Sequence, residues 1–311
     1  MKLLYKFGMV AALPVAVTTT ALSGIGTAQA ASAFPDHYAA PYLQITGSDA
    51  GDMSADMRAT GVKDYTLSFL IPRSGCTPKW EADDSSVGAF TSQVKALKQA
   101  GGNVIVSFGG ESGGELAQTC TSVSSLTAAY ENVVKTYGIT RLDFDIEGDV
   151  LGDSAANTRR NKALAALQSE NPSVQVDYTL AVAPDGLPSQ ELGLLRDAKN
   201  RGVNVSVVNL MTMDFGDGEN ALNDAQSAAR ATSGQLASLY GISKAAAYAK
   251  MGLTPIAGRN DDNEVFSQSD AKKLERFASS NGVQELSFWE LHDYDKATGF
   301  SYSRIFNAIG G

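Results

Sequence analysis

Histidine is nearly absent from this chain, which has only His37 and His292, one near each end. A serine–histidine relay needs a base within reach of both a nucleophile and an orienting acid, so that chemistry has little material here. Neither an H-E-x-x-H stretch nor a cluster of cysteine and histidine occurs. A zinc site is therefore not expected, and no metal or other cofactor is implied. Positive charge is scarce as well. Lys and Arg total 25 against 34 Asp and Glu, a formal net charge of −9, with no basic stripe. This balance argues against nucleic acid or an anionic membrane as partner and favours a neutral substrate. The glycine-rich "GGESGG" follows a strand-like run, but its own Glu111 and the following Glu115 would repel a phosphate, so it makes a poor nucleotide loop.

The chain opens with Lys2 and Lys6, then an apolar run interrupted by Pro14, threonines and glycines, and reaches Ala28-Gln29-Ala30. This pattern predicts a secretory leader over residues 1–30, too weak to stay in a membrane as a span. The remaining chain of about 280 residues suits one large α/β barrel or two small domains. In an exported protein the two cysteines, Cys76 and Cys120, are expected to pair; two separate buried thiols are the alternative. A pair would close a loop of ~45 residues and add ~3–4 kcal/mol by chain entropy.

From residue 35 onward two textures alternate. Eight strand-like runs, "APYLQI", "YTLSFLI", "NVIVSFG", "RLDFDIE", "QVDYTLAV", "VSVVNLMTM", "MGLTPIAG" and "ELSFWEL", are separated by Ala/Leu/Lys-rich stretches. Apolar residues in those stretches recur at helical spacing, as in Phe90, Val94, Leu97 and in Leu126, Tyr130, Val133, Tyr137. Several of the stretches stop at Gly101, Gly138, Gly202, Gly241 or Gly282. Eight strand–helix alternations predict a single (β/α)8 TIM barrel over residues 31–311; an open doubly wound sheet is the runner-up and lacks its glycine-rich fingerprint.

One run demands a reason. "RLDFDIEG" places Asp143, Asp145 and Glu147 at alternate positions, with Leu142, Phe144 and Ile146 between them. Alternate residues on a strand share a face, so the acids are expected to line the barrel axis and the apolar residues to meet the helices. Glu147 comes last, at the C-terminal rim where barrel active sites lie. Stacked carboxylates in a poorly hydrated interior repel, so one keeps its proton, and a general acid needs that raised pKa. Three other readings are a solvated edge strand, a calcium loop whose twelfth position would be Ser154, and an acidic core that no longer catalyses.

The stretch resembles the D-x-x-D-x-D-x-E signature of the family 18 glycoside hydrolases, the chitinase family, with Asp143, Asp145 and Glu147 matching its last three acids. "VIVSFGG", through Ser107, Gly109 and Gly110, is similar to the family's third-strand S-x-G-G motif. "NLMTMDFG" resembles the sixth-strand M-x-M-D-[YF] form of the bacterial and archaeal branch, "PIAGRNDD" the end of the seventh strand, and "LSFWE" the eighth with its tryptophan, Trp289. The resemblance spans nearly the whole chain after the leader. It implies a chitinase that cleaves β-1,4 links between N-acetylglucosamine units with retention, the substrate's acetamido oxygen acting as nucleophile. Glu147 would then be acid and base, Asp145 would hold the acetamido N–H, and Asp143 would exchange a proton with Asp145. Trp289 would floor the sugar site, with Tyr42, Phe69, Gly110, Met211, Asp214, Phe215 and Asp261 around it. Trp80 would either extend the cleft or anchor a loop, and the Cys76–Cys120 bridge would stiffen the wall between the second and third rim loops. Chitin or its oligosaccharides would be the partner of a secreted monomer.

Two departures from the family pattern stand out. The signature's opening Asp-Gly is here Thr140-Arg141, which removes the deepest acid; Arg141 is expected to point outward or to pair with a nearby acid. Phe215 replaces a tyrosine whose hydroxyl would hold the acetamido oxygen, a loss of ~1–3 kcal/mol if nothing compensates. A weakly active or purely glycan-binding barrel, or an endo-β-N-acetylglucosaminidase, is the alternative; the retained Glu147 favours catalysis. His292 with Asp293 reads as a surface pair.

Overall fold

The computed structural model describes residues 33–311 apart from residues 113 and 219. The predicted leader, residues 1–30, lies outside the described residues.

All eight strand-like runs become staves of one barrel. β1 is in two short pieces, Tyr38–Ala39 and Tyr42–Gln44; then come β2 (Asp64–Ser74), β3 (Asn103–Gly109), β4 (Arg141–Asp145), β5 (Gln175–Ala181), β6 (Val205–Met211), β7 (Met251–Thr254) and β8 (Glu285–Leu286). Every neighbouring pair from β1 to β8 is parallel. The ring closes because the first piece of β1 pairs with β8 and its second piece with β2. The open doubly wound alternative is thereby excluded.

The staves are buried on both faces, as expected where helices cover a parallel sheet. The helices fall on the stretches between the strand-like runs: Thr91–Gln99, Val123–Tyr137, Ser154–Glu170, Ser189–Asn200, Ala221–Tyr240 and Gln268–Asn281. Three end on left-handed glycines, Gly138, Gly241 and Gly282, which satisfy a terminal carbonyl without a Cβ clash. The helix Asp49–Thr60, with little apolar periodicity, and two hairpins were not foreseen. One hairpin pairs Thr77–Trp80 with the end of β2; the other pairs Gly258–Arg259 with Val265–Phe266 beyond β7. No helix among the described residues is long and apolar enough to cross a membrane.

The phase of β4 is the one expected. Phe144 faces the helices, 5.1 Å from Tyr130 and stacked 5.3 Å from Phe108. Asp143 and Asp145 therefore turn to the axis. Arg141 shares their parity and turns inward too, fully buried, so the outward orientation is corrected; the pairing with an acid is found, 3.3 Å from Asp177. Trp80 is fully buried, its indole N–H donating to Tyr137 Oη at 3.1 Å, so it anchors the hairpin and does not extend the cleft. His292 is no surface pair with Asp293. Its two ring nitrogens each lie 2.8 Å from a carboxylate of the first helix, Asp49 and Asp56.

Candidate active site

At the C-terminal rim the staves open into a cavity of about 490 Å³, lined by residues from every quarter of the barrel, Glu147, Asp145 and Trp289 among them. The deepest member of the acid ladder, Asp143, is held from three sides. Its Oδ2 accepts from Tyr42 Oη at 3.0 Å and Ser107 Oγ at 2.6 Å, and its Oδ1 accepts from Thr179 Oγ1 at 2.8 Å. Burial pushes the carboxyl up to about 7, with Ser107 pulling it down and the charge of Asp177 adding to the rise. A belt of neutral groups continues around the axis, Asn209 Nδ2 donating to Thr179 at 3.1 Å and Thr254 Oγ1 to Asn209 at 2.7 Å.

Asp145 is equipped differently. It is 5% exposed and its Oδ1 has no hydrogen-bond partner among the described residues. Burial, then the charges of Glu147 and Asp143, hold its carboxyl well above the usual range. It shares a side-chain hydrogen bond with Glu147, which is itself raised by burial, against the pull of that bond, and by Glu111. Two carboxyls facing each other, with no cation beside them among the described residues, resist losing both protons, so each is held in its protonated form to higher pH. The S-x-G-G stretch explains how β4 is gripped. Gly109, at φ 103°, brings its Cα so close to Asp145 that a Cβ would lie 2.0 Å from the Asp145 carbonyl oxygen. Gly110 N–H donates to the same carbonyl at 3.1 Å, and a Cβ on Gly110 would meet the Phe69 ring at 2.6 Å. Gly110 thus backs the aromatic wall and is not itself a lining residue.

That wall consists of three rings. Phe69 stacks on Trp289 at 5.6 Å and 11°, and Tyr42 lies 5.9 Å from Trp289 and 6.0 Å from Phe69. Met211, Met213, Asp214 and Asp261 also line the cavity. Asp214 takes a left-handed backbone (φ 50°) and its Oδ1 accepts from the N–H groups of Asp261 and Asp262 at 2.7 and 3.2 Å, tying the loop after β6 to the loop after β7. Burial raises the Asp214 carboxyl; those N–H bonds hold it down in part. Phe215 does not line the cavity but packs, half-buried, against the hydrophobic core. The predicted disulfide is present, with Cα atoms of Cys76 and Cys120 4.4 Å apart, and it joins the hairpin after β2 to the segment after β3.

Sequence reasoning missed part of the lining. Gln44, Glu81, Glu111, Ser112, Thr179, Ala181, Val182 and Thr254 all border the cavity. Thr179 was legible, because it follows Asp177 by two on a strand whose other face is apolar. Glu81, Glu111 and Ser112 come from rim loops, where periodicity gives no direction. A G-x-S-x-G elbow is not expected from the scarcity of histidine, yet Gly110 to Gly114 spell one around Ser112. No histidine serves it among the described residues, since His292 is held by Asp49 and Asp56 and His37 Nδ1 by the Val283 carbonyl at 2.8 Å. Nor is any group of three or more His, Cys, Asp or Glu among them arranged to hold a metal ion.

Comparison with known proteins agrees with this geometry. The family model "Glycosyl hydrolases family 18" matches residues 40–291. An Escherichia coli protein named "Probable bifunctional chitinase/lysozyme" is 34% identical over 83% of this chain and 31% of its own length. "Endochitinase 11" of Metarhizium anisopliae is 34% identical over 83% of this chain and 53% of its own length. The chain thus spans about a third and about half of these two relatives. The solved structure of active domain 2 of a chitinase from Pyrococcus furiosus superposes with a TM-score of 0.81 at 30% identity, covering 90% of this chain and 97% of that one. With the family model spanning the barrel from its first stave to its last, the chain belongs to family 18 of the glycosyl hydrolases.

Proposed function

We propose that this protein is an exported chitinase that hydrolyses β-1,4-linked N-acetylglucosamine chains by a retaining, substrate-assisted route. The observation that carries the reading is Asp145: a sealed carboxyl with an oxygen unpartnered among the described residues, bordering with Glu147 a cavity that an aromatic wall also lines. A buried polar atom without a partner costs stability, and a substrate amide N–H would satisfy it. A catalytic-site mutant of the Pyrococcus domain, 30% identical to this chain, has been solved with chito-oligosaccharides, which makes such a substrate the first to try.

In this mechanism the sugar face packs on Trp289 and its acetamido group turns down toward Asp145. Glu147 gives its proton to the glycosidic oxygen as the bond to C1 breaks, and the acetamido carbonyl oxygen closes on C1 to form an oxazolinium ion. Asp145, turned anionic as its proton shifts to Asp143, stabilises that cation. Water then attacks C1 from the vacated side, its proton passes to Glu147, and the starting anomer is regenerated. Asp143 is suited to receive a proton, being held near neutrality by burial. The Cys76–Cys120 bridge supports export to an oxidising compartment.

Incubation of the purified protein with an N-acetylglucosamine hexamer tests the reading. Shorter oligosaccharides whose new reducing ends are initially the β anomer are expected. An untouched hexamer, or α-anomeric products, would refute it.

A further inference from the structure

Beneath the acid ladder lies a buried charged layer that the mechanism above does not use. Asp177 stands in register with Asp143 on the next strand, β5. Its Oδ1 accepts from Val207 N–H at 3.0 Å and its Oδ2 faces Arg141 Nη1 at 3.3 Å. Arg141 is pinned in turn. It donates to Gln175 Oε1 at 3.0 and 2.8 Å and to Tyr38 Oη, and its guanidinium lies 4.6 Å over the Phe34 ring. Tyr38 Oη donates onward to Glu285 Oε2 at 2.9 Å. Arg141, Asp177 and Glu285 are 0%, 2% and 3% exposed. A closed barrel needs no ion pair here, and an isolated buried pair is seldom worth its desolvation. What distinguishes this one is its neighbour, the proton-accepting Asp143.

We propose that the Arg141–Asp177 pair is a positioning device for the hydrolysis, setting the charge beneath Asp143 and so fixing how readily the proton of Asp145 passes to Asp143. The carboxylate of the pair comes from β5 and the cation that balances it from β4. The inference rests on the chitinase reading.

The groups facing Asp143 are Tyr42 from β1, Ser107 from β3, Thr179 and Asp177 from β5, and Asp145 from its own strand. Around Asp177 and Arg141 stand Tyr38, Glu285 at the start of β8, Asp64 at the start of β2 and Lys250 just before β7. Burial raises Asp177 to about 6 against the pull of Arg141, and the charge of Asp177 adds to the rise that burial gives Asp143. The two members of the pair thus act on the ladder with opposite sign.

That opposition gives the test. The pH profile of kcat/KM on the hexamer is measured for the parent, Asp177→Asn, Arg141→Gln and the double variant, with melting temperatures alongside. Removing the anion leaves a bare cation below Asp143, so both limbs move to lower pH, the acidic one by about half a unit or more. Removing the cation moves them up by a similar amount, and the double variant returns to within a few tenths of the parent. A purely structural role predicts lower melting temperatures with limbs that stay put, or that move the same way in both single variants; either result overturns the proposal. Should neither single variant fold, Gln175→Glu adds a negative charge at a half-buried residue already bonded to Arg141, and an upward shift is expected; no shift overturns the proposal. A parent that cleaves no oligosaccharide refutes the chitinase reading and this inference with it, whereas a cleaving parent with immovable limbs refutes the inference alone.

Discussion

Glu115 and Asp145 are both almost sealed from solvent, at 1% and 5% exposure, yet their surroundings are opposite. Glu115 lies outside the barrel under the helix Ser154–Glu170. Its Oε2 is 3.0 Å from Arg160 Nη2 and accepts the N–H of Ala117 at 2.8 Å, and its Oε1 accepts from Tyr130 Oη at 3.3 Å. Asp145 lies inside the barrel and, among the described residues, has no cation and keeps one oxygen without a partner. Burial alone therefore does not separate the two carboxyls. What separates them is burial left uncompensated at the edge of a cavity, where a ligand can supply what the fold withholds.

The sharpest way to break this contrast is at the rim. Glu147→Gln keeps the shape and removes the transferable proton. The rate of hexamer cleavage is expected to fall by about 10³-fold while the Kd for the oligosaccharide changes little. A variant that still cleaves at the parental rate would show that Asp145 and Glu147 are merely a tolerated pair. The second largest effect is expected behind the sheet. Arg160→Met strands the Glu115 charge in a dry layer and should cost about 3–5 kcal/mol in denaturant unfolding. Adding Glu115→Gln should recover much of that loss. In both cases kcat of the folded protein stays at the parental value, so stability and rate separate cleanly between the two regions.

The two tryptophans extend the comparison. Trp289 is half-buried in the cavity wall and Trp80 fully buried in the hairpin after β2. Trp289→Ala is expected to weaken hexamer binding by about 2 kcal/mol, some thirty-fold in Kd, with a small change in melting temperature. Trp80→Phe should do the reverse, lowering the melting temperature through the lost bond to Tyr137 and leaving Kd unchanged. Titration calorimetry and thermal melts on the same samples distinguish them.

The staves and the ladder were legible because both are written in period. Eight β-branched runs, with acids at alternate positions on the fourth, fix strand count, phase and rim position before any contact is known. Period says nothing about what fills the axis from other strands. Asp177 and Glu285 each look like an isolated acid in an apolar run, and only closure of the barrel brings them to Arg141. Parity alone should have turned Arg141 inward, but a charge that large reads as a surface residue until its partners are seen. The rim loops were legible only as motifs. Thus Asp214 and Asp261 were identified together, yet the bond that joins their loops, from Asp261 N–H to Asp214 Oδ1, has no counterpart in sequence spacing.

Phe215 provides the finest test, because here the motif and the geometry disagree. The motif treats residue 215 as a wall of the sugar site lacking its hydroxyl, and on that view Phe215→Tyr restores a hydrogen bond and raises kcat. In the structure the left-handed turn at Asp214 sends the ring of Phe215 against the core, away from Met213 and Asp214, which do line the cavity. A hydroxyl placed there meets apolar neighbours and not a substrate. The expected result is therefore a change in kcat of less than about twofold and a stability loss of about 1 kcal/mol, the cost of a poorly partnered buried hydroxyl. A tenfold gain in kcat with no loss of stability would mean that the loop after β6 turns residue 215 into the cleft when sugar binds. The division between a pre-formed acid ladder and a passive aromatic core would then have to be redrawn at that loop.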